Sequence, residues 1–289
     1  EIWRETVARR QRHQRLWEAL VDGEVRQIND LITHNLDIEQ FVQDVIALDG
    51  DAELVRAFWK ALNEITVLDP TCGSGAFLFA ALGILQPLYE ACLERMRVLL
   101  GELPDGSQAL PDFRQTLQDV EGHANETYYV LKRIMVGNLY GVDIMPEAVE
   151  IARLRLFLKL VAQVEEKKDL EPLPDIDFNL KAGNTLVGFA TRADVGAALA
   201  QQPVRGGASQ GRMVEMAMEN GAAELEAFER EADDAARLFT RFQALQRLAQ
   251  GPAYEHDADS VRRDLRQRLQ DLAERADRLL APQYGVQPT

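Results

Sequence analysis

The sequence is poor in cysteine, histidine and basic charge. Cys72 and Cys92 are its only cysteines, too few for a disulfide framework. The histidines His13, His34, His123 and His256 are scattered, and no Cys/His cluster has zinc spacing, so neither a metal site nor a His-based triad is read. A reducing, cytoplasmic setting is the default for such a chain. Lys and Arg number 32 against 47 Asp and Glu, a formal charge of −15, which argues against a surface that grips nucleic acid or anionic lipid all round. A local basic patch remains open, and Arg9, Arg10, Arg12 and Arg15 are its candidates. No apolar run is read as reaching the roughly 18 residues that span a bilayer, so no membrane partner is expected. No signal peptide is read either. Apolar residues make up 46%, enough for a real core, and 289 residues suggest about two domains. The chain opens on Glu1, inside a charged helical stretch, and closes on a turn-like Tyr284–Thr289. It therefore reads as a piece of a longer protein.

Residues 1–62 read as helical. Leu16, Trp17 and Leu20 share one face, and Leu31, Ile32, Leu36, Phe41, Val42, Val45 and Ile46 continue at near-helical spacing. Asp37 is placed to cap a helix, because its carboxylate can accept a first-turn N–H. A short amphipathic helix covers 53–62. The pattern then changes: Ile65-Thr-Val-Leu68 is a β-branched run that must stop at Asp69-Pro70, since proline cannot donate to a ladder. Cys72-Gly-Ser-Gly75 leads into a helix over 76–100, with Pro87 expected to kink or divide it. Residues 101–127 read as a surface excursion with at most one short helix, and 128–136 as a helix or buried segment. Asn138–Asp143 is the second expected strand, and Pro146 opens the next helix, whose apolar face is assigned to Ala148, Ile151, Ala152, Leu154, Leu158 and Val161. Asp177–Leu180 is the third expected strand. Gly206, Gly207 and Gly211 mark a link. Two heptad-like arms follow, Leu225 to Leu248 and Val261 to Leu279, around a turn at Gly251–Asp257. The organisation is thus a helical region 1–62, an α/β core 63–190 with a helical insertion at about 84–136, a flexible link 191–220 and a helical hairpin 221–289.

Strand-then-helix units in series imply a parallel sheet with its ligand outside the strands' carboxyl ends. The chemistry-bearing residues fall there. Gly73 and Gly75 let backbone turn sharply and approach a ligand, and the helix opening at Ala76 points free N–H groups to the same place. Asp143 can accept both hydroxyls of a ribose. Asn184 offers a donor and an acceptor suited to an adenine edge. Asp69 can orient loop N–H groups or face an ammonium. Together these describe a pocket for a nucleoside with a charged aliphatic arm. Taken singly, each has a plainer reading: a turn, a helix cap, a turn former. A dinucleotide fingerprint fits poorly, because Leu78 stands where a third glycine is needed, and no Walker P-loop string occurs.

Val67-Leu-Asp-Pro-Thr-Cys-Gly-Ser-Gly-Ala-Phe-Leu78 resembles the first motif of adenine-N6 DNA methyltransferases, in particular the large methylase modules of combined restriction-modification and phage-defence systems. Asn138–Ala152 resembles their second motif and Phe178–Leu186 their third. The resemblance covers about residues 60–190. It implies a partial Rossmann-like sheet that binds S-adenosylmethionine, with extensive helical insertions. It also implies roles: Asp69, Thr71, Gly73 and Gly75 around the methionine part, Asp143 on the ribose, Ile144 and Met145 beside the adenine, and Asn184 on its amino group. No metal is implied.

The sequence departs from the family in one decisive respect. The family's catalytic Asn/Asp-Pro-Pro-Tyr/Phe string, which receives the flipped adenine, is absent. Family order places it beyond Thr289, so no catalytic residue is assigned here and this piece is expected to be inactive alone. The family's Thr-Pro cofactor motif is not seen in 1–60, and no target-recognition domain is seen. Double-stranded DNA is accordingly expected to be held by parts of the protein outside this chain, and the rest of the parent polypeptide is the other expected partner. Two alternatives stay open: a methyltransferase acting on RNA, protein or a small molecule, and a non-catalytic helical assembly module with a vestigial nucleoside pocket.

Overall fold

The computed structural model describes the chain apart from residues 1, 28, 31–36, 50, 105, 165–170, 190, 201–209, 248–251 and 282–289. It divides into two compact units, residues 1–62 with 87–113, and residues 63–86 with 114–289.

The first unit is helical. α1 (Ile2–Val21), α2 (Ile38–Asp44) with a π turn at Val45–Asp49, and α3 (Ala52–Glu64) occupy its N-terminal part. Asp37 caps α2 as expected, its side chain accepting the Gln40 N–H at 3.1 Å. Leu16 is buried, but Trp17 and Leu20 on the same face are exposed. Leu31, Ile32 and Leu36 lie outside the described residues. The core gathers Val55, Tyr89, Cys92, Leu93, Met96 and Phe113. Trp59 meets Tyr89 edge-on at 5.4 Å, and the Tyr89 hydroxyl donates to the Leu62 carbonyl at 2.6 Å. Arg56 lies over the Phe113 ring and grips Asp112 with two N–H groups, at 2.6 and 3.0 Å.

α4 (Ala76–Gly101) contributes residues to both units. Pro87 does not divide it. Buried residues on either side of the proline, Leu82, Leu85, Tyr89 and Cys92, hold the helix through the lost hydrogen bond. Contrary to the sequence reading, α4 is long and apolar enough to cross a membrane by length and composition, and here Leu78, Leu82, Leu85, Tyr89 and Leu93 are buried in the protein. α5 (Pro111–Glu121) is the one helix of the expected surface excursion, yet its Phe113 is fully buried.

The second unit holds a small parallel sheet. β1 (Val67–Asp69), β2 (Leu139–Asp143) and β3 (Leu180–Ala182) lie in that order, with Asp69 beside Gly141 and Gly141 beside Leu180. This mostly helical arrangement around three parallel strands is compatible with the expected α/β class. α6 (Glu126–Gly137) delivers the chain to β2. Asn125 caps it, and its Tyr128–Met135 core is buried almost throughout. Buried Asn138 closes it, donating to the Ile65 carbonyl at 2.7 Å and so fixing the entry to β1. Gly141 is required: a Cβ there would stand 2.9 Å from Leu180 Cδ2 and 3.0 Å from Cys72.

Two sequence expectations are corrected here. The third strand begins at Leu180, three residues later than Asp177. Residues 177–179 form a turn because the Asn179 amide is buried and donates to the carbonyls of Met135, Val136 and Leu139. α7 (Pro146–Val161) buries Val149, Ala152, Leu156 and Leu160, whereas Ile151, Leu154, Leu158 and Val161 are exposed. This helix is apolar on two faces, so hydropathy could not choose between them; the close packing at Ala152, described below, does.

α8 (Arg192–Ala200) falls inside the stretch read as a flexible link, and Gly211 lies in α9 (Gln210–Arg247); Gly206 and Gly207 lie outside the described residues. α9 and α10 (Pro252–Leu280) make the hairpin. Phe242 packs with Val261 and Leu265, while Arg275 reaches Glu231 at 3.0 Å, so the arms run antiparallel. Pro252–Asp257, read as turn, is helical.

A buried charge cluster fastens the start of α6. The Glu171 carboxylate meets His123 Nδ1 at 2.8 Å, the Lys132 ammonium at 2.9 Å and the Ala124 N–H at 3.2 Å. Burial pushes this carboxyl up, but His123 and Lys132 outweigh it, so it titrates below the usual glutamate range. A carboxyl lowered in the folded state adds stability that is complete above its unfolded pKa and is lost as pH falls through the folded one. Glu171→Gln is expected to destabilise the protein by about 2 kcal/mol at pH 7 in urea unfolding. The gap should close as pH falls through the lowered pKa of the folded carboxyl, below the usual glutamate range, where the native carboxyl is itself protonated. A difference that does not change with pH would contradict this reading.

Candidate functional site

The loop between β1 and α4 belongs to no ladder, and its backbone is held almost residue by residue. Asp69 is buried at the end of β1. Its Oδ1 accepts the Thr71 N–H at 3.1 Å, while its Oδ2 is buried with no hydrogen-bond partner among the described residues. The Cys72 N–H donates to the Val142 carbonyl at 2.9 Å. The Gly73 N–H donates to Asp143 Oδ2 at 2.8 Å, and the Gly75 N–H turns back to the Cys72 carbonyl at 2.7 Å. Gly73 and Gly75 both have positive φ, +49° and +84°, where a side chain would be strained. At Gly75 a Cβ would also stand 3.2 Å from the Ala152 Cβ, so α7 packs directly on the turn. Among the described residues, the N–H groups of Ser74, Ala76, Phe77 and Leu78 have no acceptor. They leave a set of free donors at the opening of α4.

Asp143 ends β2 and faces this loop. Its Oδ1 accepts the Met145 N–H at 2.9 Å and its Oδ2 the Gly73 N–H. These two donors, Met145 first, hold its carboxyl below the usual carboxylate range. Each oxygen keeps a free lone pair, so the side chain that orients the loop can still accept hydroxyls. The cap reading and the ligand reading of Asp143 are therefore compatible. Ile144 and Met145 follow at 69% and 57% exposure, a pair of apolar side chains left uncovered beside the carboxylate.

Asn184 lies in the exposed loop after β3. Its Oδ1 accepts the Leu186 N–H at 3.0 Å, the turn-former role that the sequence left open. The neighbouring Thr185 hydroxyl donates to the Pro70 carbonyl at 3.1 Å and ties this loop to the first one. Asp69 with Thr71, and Gly73 with Asp143, are thus hydrogen-bonded pairs along one turn that Gly75 closes onto Cys72, and the Asn184 loop is joined to that turn through Thr185. Sequence reasoning missed Ala152, Arg155 and Thr185. Ala152 had a signal, a small residue on the helix that follows the acid, facing a glycine. Arg155 had none: its Nη1 reaches the Ser74 carbonyl at 2.6 Å across a separation of 81 residues.

Residues 46–202 match the family described as MmeI, DNA-methyltransferase domain. The chain belongs to this family. Residues 137–271 also match the Eco57I restriction-modification methylases. A Methanocaldococcus jannaschii protein assigned as a type II restriction enzyme and methyltransferase is 33% identical over 166 residues, which cover 56% of this chain and 12% of that protein. The chain therefore spans only a small part of the relative's length. No solved structure matches.

In this methyltransferase domain Cys72 is a buried thiol in a tight turn, and burial first, then Asp69 and Asp143, raise its pKa. Burial pushes the Cys92 thiol up to about 12. Thiols held this far from ionisation are poor nucleophiles. Neither cysteine is expected to react with a disulfide reagent at pH 8 in the native protein, and both should react in denaturant. Rapid native labelling of Cys72 would show that the loop is not held as described.

Proposed function

We propose that this chain is the cofactor-holding part of a site-specific DNA adenine-N6 methyltransferase of a restriction-modification system, and that its cofactor is S-adenosylmethionine. One observation carries the reading. The carboxyl ends of three successive parallel strands converge on a loop with free N–H donors, an orphan buried carboxylate oxygen, a ribose-competent carboxylate and exposed apolar side chains.

The residues present fit the group. Asp69 Oδ2, an unpaired buried acceptor, complements an ammonium. The free amides of Ser74 and the first turn of α4 complement a carboxylate, so the two ends of an amino acid have opposite partners at one turn. Thr71, Gly73 and Gly75 supply the backbone shape. Asp143 accepts the ribose hydroxyls, Ile144 and Met145 cover the adenine, and Asn184 meets its amino group once its own turn contact is exchanged. When bound, the cofactor supplies an electrophilic methyl group on sulfur. The task of this chain is to hold that end in a fixed place, because orientation is worth several orders of magnitude in rate. The sequence contains no Asn-Pro-Pro-Tyr-like string to receive the target adenine, so the reading places base extrusion, DNA grip and methyl transfer with other parts of the protein.

Calorimetry of the purified chain with S-adenosylmethionine tests the reading. Saturable one-to-one binding is expected, weakened at least about tenfold by Asp143→Ala, the loss of roughly one charge-assisted contact. A folded chain that shows no binding, or binds equally well without Asp143, would overturn it.

A further inference from the structure

The proposed cofactor site leaves one contact unexplained. Arg155 lies in the third turn of α7 and is exposed. Its Nη1 donates to the Ser74 carbonyl at 2.6 Å and to the Ser74 hydroxyl at 3.2 Å, and its guanidinium lies 4.6 Å from the centre of the Phe79 ring. No carboxylate stands within ion-pairing distance of it among the described residues. Arg153, two residues earlier, behaves otherwise, pairing with Glu150 and Asp177.

We propose that Arg155 is a positioning residue for the cofactor loop, an inference that deepens and rests on the reading above. A peptide unit is planar, so gripping the Ser74 carbonyl sets the direction of the Gly75 N–H in the same plane. That N–H is already on the Cys72 carbonyl, at 2.7 Å. The Ser74–Gly75 peptide is therefore pinned at both ends. The preceding turn is pinned by the Gly73 N–H on Asp143. These two holds flank the Gly73–Ser74 peptide and so restrict how the Ser74 N–H is presented to the pocket. Phe79 completes the clamp: the planar guanidinium sits on its ring, which fixes the arginine relative to α4 as well as to the loop. The loop thus keeps its positive-φ shape without ligand. A cofactor then need not bear the entropy of ordering it.

The test compares wild type, Arg155→Ala, Arg155→Lys and Ser74→Ala in two measurements. In the cofactor-free chain, hydrogen exchange is read at the Gly73 and Gly75 amides, with β2 amides as the internal control. Arg155→Ala is expected to speed the loop amides about tenfold and leave β2 unchanged, as a local opening would. In calorimetry the same variant should raise the dissociation constant for S-adenosylmethionine about tenfold, with a more unfavourable binding entropy. Arg155→Lys should recover part of both effects, since a point-charge donor can reach the carbonyl but cannot lie flat on Phe79. Ser74→Ala loses the hydroxyl contact at 3.2 Å and keeps the carbonyl contact at 2.6 Å, so both effects should be present but smaller than in Arg155→Ala. Unchanged exchange and an unchanged dissociation constant in Arg155→Ala would overturn the proposal. So would faster exchange at β2 and the loop alike, which marks general destabilisation. If the wild type itself fails to bind S-adenosylmethionine, the cofactor reading falls, and the exchange comparison alone decides whether Arg155 holds the loop.

Discussion

A loop with a carbonyl or N–H to satisfy at every residue, and no ladder of its own, must be held by something else. Here the holder is the β2–α7 unit some 70 residues further along the chain. The Val142 carbonyl takes the Cys72 N–H, the Asp143 carboxylate takes that of Gly73, Ala152 lies on Gly75, and Arg155 takes the Ser74 carbonyl. In this chain the segments that resemble the first and second motifs are therefore one structural object, because the shape of the glycine turn is enforced from outside it. The acid that reads as a helix cap therefore also holds the glycine turn, and in the proposed function that turn is the one the cofactor uses.

The same constraint accounts for the surrounding packing. Asp143 can reach the loop only if β2 sits beside β1 in the observed register, and Gly141 permits this by leaving room for Cys72 and Leu180. β2 in turn is delivered by α6, the most thoroughly buried helix of the second unit. Its carbonyls at Met135 and Val136 are taken by the Asn179 amide, which turns the chain into β3. The long helical insertion between the two motifs ends in the helix that positions the second of them.

Much of the site was legible because its chemistry is local. Asp69-Pro70 had to end a strand, two glycines one residue apart had to make a turn, and Pro146 had to open a helix. The third strand was misplaced because Asp177-Phe-Asn-Leu180 has an apolar rhythm, while the fate of that segment is decided by the Asn179 amide bonding carbonyls some 40 residues earlier. The inward face of α7 was misread because both of its faces are apolar, and the choice is made by one close contact with Gly75. Arg155 and Thr185 were invisible for the same reason. Their roles are contacts with backbone carbonyls, which carry no residue-type signal.

The acidic balance of the sequence acquires a narrower meaning. A charge of −15 describes the surface of a chain that matches 12% of its relative, and it constrains that surface and not the substrate of a whole enzyme. The central claim is that the three strand ends form one nucleoside site. Amide chemical shifts recorded as S-adenosylhomocysteine is added test it most directly. The account predicts changes confined to residues 69–79, 143–147 and 183–187. Changes that map instead to the pocket of about 510 Å³ lined by Phe189, Val195, Leu225 and Phe228, or no changes in a folded chain, would contradict it.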